Sequence, residues 1–192
     1  MLILASASPR RQELLRNAGV EFVVQPSDIP EVPLPEEAPQ VFAERVAREK
    51  ARTVYQRNPG QYVLAADTVV IVDDHILNKP ENAQDAARML RLLSGRSHLV
   101  TTAACLIGPQ AAANGPFEEV RCETTGVTFN RLSDADIQSY IASGEPMDKA
   151  GAYGIQGLAS RWIPRVEGCY FNVVGLPVAL VYGMLREHGL VT

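Results

Sequence analysis

The sequence predicts a mixed α/β core, α+β-like, built on a curved sheet. Three observations carry this. Short apolar runs of strand length and segments of helical periodicity both occur along the chain. They do not alternate regularly, as a doubly wound sheet would require, so several neighbouring strands are expected to be antiparallel. The 192 residues are 46% hydrophobic and 21% charged, which suits one large domain, or two lobes that share a core.

The elements follow in order. Met1 to Ala5 reads as a short buried strand. Ser8 is placed to cap a helix whose first residue is Pro9, where a missing N–H is harmless; the helix runs through Leu14 and Leu15 to a stop at Gly19. Glu21 to Gln25 reads as a second strand. The stretch QPSDIPEVPLPEEAP holds five prolines in fifteen residues and is a loop. Residues 39–57 are helical by period. Phe42, Ala43, Val46, Ala47 and Val54 share one arc, and Lys50 falls in the middle of it, opposite Arg45, Arg48, Glu49 and Arg52. A lysine centred on an apolar stripe either snorkels to water or points its ammonium into a cleft.

QYVLAADTVVIVDDHIL reads as a long strand, a turn at Asp73–Asp74 and a return over His75 to Leu77. Asp67 interrupts this apolar run, and a carboxylate there requires a partner, a metal or a functional role. Asn82 caps a helix that ends near Leu93. Ser97 to Ile107 and Glu118 to Phe129 are strands joined by the loop GPQAAANGP. Ser133 and Asp136 form a capping-box pattern for a helix ending at Gly144. EPMDKAGAYGIQG is a glycine-rich loop. Trp162 to Val166 and Cys169 to Val174 read as a hairpin, and a last helix spans about Pro177 to His188.

Composition narrows the functional classes. A net charge of −4 argues against a general nucleic-acid binder, which carries a basic face. No apolar run reaches the ~20 residues of a membrane span, and the N-terminus has no basic n-region, so a cytoplasmic protein with no membrane partner is expected. Cys105, Cys122 and Cys169 are odd in number and widely spaced; neither a zinc site nor a disulfide framework is indicated, and buried thiols are expected. Walker, GxGxxG, HExxH and GxSxG patterns are absent, and surface or capping roles are expected for His75, His98 and His188.

Arg10 and Arg11 remain, at the seam between the first strand and the first helix. A helix N-terminus after a small-residue loop favours anions, and an arginine fork holds phosphate oxygens in pairs. Two arginines in a first turn oppose the helix dipole, at about 0.3–1 kcal/mol each, unless an anion is bound. With Lys50 and Lys79 as further cations and Glu31 and Asp67 as carboxylates, the set suits water attack on a phosphoryl group assisted by a divalent metal.

The segments ASASPRRQELL, AREKA, AADTVV, NKP, LSGRSH, MDKAGAYGIQG and VVGLP, in this order, resemble the signature segments of the Maf family of nucleoside triphosphate pyrophosphatases. The resemblance implies one Maf-like domain over residues 1–192. Its two lobes flank a cleft over an elongated sheet, in a fold related to the inosine triphosphate pyrophosphatases. It implies cleavage of a nucleoside triphosphate to the monophosphate and pyrophosphate with Mg²⁺ or Mn²⁺, as house-cleaning of the nucleotide pool, and a homodimer. Asp67 would be the proton acceptor. Arg11, Lys50 and Lys79 would hold the triphosphate, Ser8 would bind substrate, and Glu31 would lie with Asp67 at the metal. SPRR, DT and GIQG resemble the branch that acts on dTTP and UTP, which makes Arg10, Thr68 and Gln156 the specificity positions. A glutamine amide can donate to pyrimidine O4 and accept from N3–H. A non-enzymatic nucleotide-binding regulator of cell division is the alternative that the same cations allow.

Overall fold

The computed structural model describes residues 1–109 and 115–192; most of the expected GPQAAANGP loop lies outside the described residues. Seven strands and six α-helices are present among them. The strands are β1 (Leu2–Leu4), β2 (Val23–Val24), β3 (Tyr62–Val72), β4 (His75–Leu77), β5 (Ser97–Gly108), β6 (Phe117–Thr128) and β7 (Arg165–Glu167). The helices are α1 (Pro9–Asn17), α2 (Pro39–Arg57), α3 (Ala83–Leu93), α4 (Asp134–Ala142), α5 (Tyr170–Val174) and α6 (Val178–Glu187). No helix among the described residues is long and apolar enough to cross a membrane.

One sheet runs in the order β2-β1-β3-β5-β6-β7, with β4 also paired to β3. The β1 pairings to β2 and β3 are parallel and all others antiparallel, so the mixed sheet expected from the sequence is present. The three long strands β3, β5 and β6 make its centre; β3 and β5 are rich in β-branched residues and alanine and are buried along most of their length, while β6 is mostly half-buried. On β3 the side chains alternate. Val63, Ala65 and Val69 join the core under α2, with Phe42, Ala43, Val46 and Ala47. Leu64, Ala66 and Val70 join the larger core on the opposite face, which includes residues of α3, α4 and α6.

The caps fall where expected. The Asn82 side chain accepts from the Asp85 amide, and Ser133 and Asp136 close a reciprocal capping box. Three expectations are corrected. There is no hairpin over Trp162 to Val174: Leu158–Trp162 is a 3₁₀ turn, only Arg165–Glu167 is strand, and Tyr170–Val174 is a helical turn. The β-branched and aromatic content of that segment suggested strand. Asn172 instead anchors it as helix, donating to Val100 O and Thr125 Oγ1 across the sheet. His98 is neither a surface nor a capping residue; it is 3% exposed, Nε2 lies 2.8 Å from the Tyr153 hydroxyl, and the ring packs edge-on against Phe129. Of the cysteines, Cys105 is buried, whereas Cys122 and Cys169 are half-buried.

The feature that positions the site is a gap in sheet pairing. β1 follows β3 only to the pair Leu4–Leu64, with the Ala5 amide donating to Leu64 O. β4 pairs with β3 from Val70 onward. Between these points that edge of β3 has no strand partner, and Asp67 and Thr68 lie on it.

Candidate active site

β1 stops because Ala5, Ser6, Ala7 and Ser8 turn the chain into α1. The Ser6 hydroxyl accepts from the Ser8 amide and the Ser8 hydroxyl accepts from the Arg11 amide, so the seam folds on its own small side chains. This turn, the open edge of β3, α2, the proline-rich loop and the segment 145–157 enclose a cleft of about 550 Å³. Ser8, Arg10, Arg11, Glu31, Lys50, Asp67, Thr68, Lys79 and Gln156 all line it. The open edge explains how neighbours on a strand, facing opposite sides of the sheet, reach one cavity: Asp67 enters from the α2 side and Thr68 from the other.

Lys50 does not snorkel. It is 6% exposed, and its Nζ lies 2.7 Å from Asp67 Oδ1 and 2.7 Å from Glu31 Oε1. Asp67 is 5% exposed. Burial pushes its carboxyl above the usual range, against the pull of Lys50 and Arg11. On Glu31 burial acts in the same sense, but Lys50, Lys79 and Arg11 outweigh it and hold that carboxyl below its ordinary value. One buried ammonium thus bridges two carboxylates whose proton affinities are driven in opposite directions, a pattern found where one group must bind a proton and its neighbour must stay charged.

Arg11 folds back from α1 and is held by neutral oxygens. Its Nε donates to Gly175 O at 2.8 Å, one terminal nitrogen to Thr68 Oγ1 at 3.0 Å and the other to Ser6 Oγ at 3.3 Å. Thr68 in turn lies 2.9 Å from Thr102 Oγ1, whose hydroxyl donates to Asn172 O. Burial lowers the Arg11 pKa while Asp67 and Glu31 raise it. Arg11 remains a charged fork, oriented in advance, with no carboxylate bonded to it. Arg10 turns the other way and pairs with Asp148 at 3.3 Å, joining α1 to the far wall. Lys79 has no ion-pair partner among the described residues, and Gln156 is exposed at the rim with its amide unbonded there.

Among the described residues no group of three or more His, Cys, Asp or Glu forms a metal cage. The donor set fits a hard divalent cation in a different way. Glu31 and Asp67 converge on one point, the Lys50 ammonium, and Mg²⁺ is commonly held by one or two carboxylates together with substrate phosphates and water.

Sequence reasoning missed Ser6, Gly175 O, Tyr140 and Glu145. Gly175 lies in the VVGLP segment, so a signal for it existed. Tyr140 and Glu145 lie outside every periodic signal except the α4 cap and are met only in the tertiary structure.

A family profile described as Maf-like protein matches residues 1–188. A protein of Koribacter versatilis named dTTP/UTP pyrophosphatase is 55% identical over 189 residues, covering 98% of this chain and 95% of its own. One of Syntrophomonas wolfei with the same name is 50% identical over 97% of this chain and 96% of its own. The Staphylococcus aureus Ham1 protein superposes with a TM-score of 0.51 at 12% identity, over 97% of this chain and 98% of that one; at that identity the likeness speaks for the fold alone.

Proposed function

The chain belongs to the Maf family, and from that premise we propose that it hydrolyses dTTP and UTP to the monophosphate and pyrophosphate. The observation that carries the chemistry is the buried Lys50 bridge between Asp67 and Glu31, set opposite the preoriented Arg11 in one cleft. The names of the relatives support the substrates. The whole chain, 1–192, acts as one catalytic unit in this reading.

Arg11 grips the phosphate chain with its fork, and Lys79 supplies a free ammonium to the same oxygens. Asp67, with a raised proton affinity, takes a proton from the water that attacks the α-phosphorus. The new P–O bond forms as the bond from the α-phosphorus to the bridging oxygen breaks, and pyrophosphate leaves. Lys50 keeps the two carboxylates together and offsets their charge as the anionic substrate enters. Glu31 and Asp67 would hold Mg²⁺ or Mn²⁺, which when bound neutralises charge on the phosphate oxygens and lowers the pKa of bound water. Arg10, Thr68 and Gln156 set the base identity in this reading, Thr68 while also bonded to the Arg11 fork, and Ser8 contributes to substrate binding at the α1 cap.

The test is pyrophosphate release from a panel of triphosphates with Mg²⁺ or Mn²⁺. Turnover of dTTP and UTP above the purines is expected. Equal rates on purines would remove the base assignment, and binding by calorimetry with no turnover of any triphosphate would remove the enzymatic one.

A further inference from the structure

Gln156 presents a difficulty as the reader of a base. An amide that donates to O4 and accepts from N3–H of uracil or thymine matches cytosine equally well once rotated by half a turn, accepting from the 4-amino group and donating to N3. Among the described residues nothing is hydrogen-bonded to the Gln156 amide, so nothing fixes its orientation. Choice between these bases therefore needs donors and acceptors that cannot rotate. The backbone beside Gln156 offers them: the N–H and C=O groups of Ile155 and Gln156 have no hydrogen-bond partner among the described residues, and both residues line the cleft.

What holds that backbone is a pair of side chains at the end of α4 and just after it. The Tyr140 hydroxyl accepts from the Gly154 amide at 3.1 Å and donates to Glu145 Oε1 at 2.8 Å. Glu145 Oε2 accepts from the Leu158 amide at 3.0 Å. The loop is thus pinned immediately before and shortly after Ile155–Gln156, by one phenol and one carboxylate in series. Its own turn, from Gly157 N to Gly154 O at 3.1 Å, closes the segment between the pins. Glycine at 157 leaves the room that the clamp occupies: a β-carbon there would run into the Glu145 carboxylate and displace it. Tyr140 is itself fully buried and edge-on to Trp162, and burial keeps its hydroxyl protonated and able to donate.

We propose that Tyr140 and Glu145 are positioning residues for base choice: by clamping residues 154–158 they present fixed backbone groups, and Gln156 from a fixed point, so that uracil and thymine are taken in preference to cytosine. This rests on the assignment of the 154–157 segment to the base.

The experiment compares kcat/KM for UTP and CTP in the wild type, Tyr140→Phe, Glu145→Gln, Gln156→Ala and the double variant Tyr140→Phe/Gln156→Ala, with a melting temperature for each. Tyr140→Phe and Glu145→Gln are expected to lower the UTP:CTP ratio by about fivefold, mainly through KM, the scale of one misplaced hydrogen bond. The double variant is expected to show a UTP:CTP ratio below that of Gln156→Ala alone, because the backbone groups that the clamp fixes remain when the amide is removed. Unchanged ratios in both clamp variants, with Gln156→Ala altered, overturn the clamp and leave the base assignment standing. Clamp variants shifted with Gln156→Ala unchanged support the clamp and assign the reading to the backbone groups alone. Ratios unchanged in every variant overturn both, and loss of UTP and CTP turnover in equal proportion marks a merely structural role and overturns the proposal.

Discussion

In the proposed function the cleft has a phosphate end and a base end, and at the first charge is delivered by rigid elements from distant parts of the chain: Arg11 from the start of α1, Lys50 from mid-α2, Asp67 from β3. At the base end a loop carries the contacts, held by a phenol and a carboxylate that begin only five residues apart. The difference follows from what each end binds. A phosphate chain offers several equivalent oxygens, so what it asks for is strong charge that the framework holds in place, as the bonds to Gly175, Ser6 and Thr68 hold the Arg11 fork. A base edge differs from its competitor only in the direction of two hydrogen bonds, so the groups that read it must be fixed in orientation, and short-range backbone pins do that.

The largest effect should come from the phosphate end. Asp67→Asn is expected to lower kcat by ~10²-fold or more, the usual scale for a positioned proton acceptor, measured as pyrophosphate release on UTP. Full activity would end the claim that chemistry is done there. Arg11→Lys keeps the charge but loses the fork that Gly175, Ser6 and Thr68 orient. A loss of about thirtyfold in kcat/KM is expected, and an unaffected enzyme would show that charge alone is enough at this end. Gln156→Ala should narrow the preference for UTP over the purine triphosphates by about tenfold while kcat on UTP persists; an unchanged preference would leave the base end to the backbone groups alone.

The smallest effect tests the uncharged aromatic floor beside the base end. Burial lowers the His98 pKa from 6.5 to about 4. Between those values the unfolded chain binds more protons than the folded one, so stability is full above the ordinary histidine value and declines as pH falls toward the folded one. A loss of about 0.7 kcal/mol is expected at pH 6 relative to pH ~7, by urea denaturation, and His98→Asn should flatten that slope. A slope that persists in the variant would place the titration elsewhere.

Much of this was legible along the chain, and the reason is range. Helix caps at Asn82 and Ser133, the apolar arc of α2 with Lys50 in it and the lone Asp67 in β3 are set by residues a few positions apart, where period and capping act. Arg10, Arg11, Lys50 and Asp67 stand out because each breaks a local rule, which Glu31 and Lys79 do not. What the tertiary structure decided involved partners far apart in sequence. The 170–174 segment carries strand-like residues, yet it is helical because Asn172 reaches Val100 and Thr125. His98 is buried because Phe129 and Tyr153 pack against it. Asp67 and Thr68 share a cleft because β1 ends early and β4 begins late along one edge of β3. The sequence by itself determined which residues carry the charge; which of them meet was decided by strand pairing and side-chain packing between distant segments, since the free energy of those contacts exists only once the loops between them have closed.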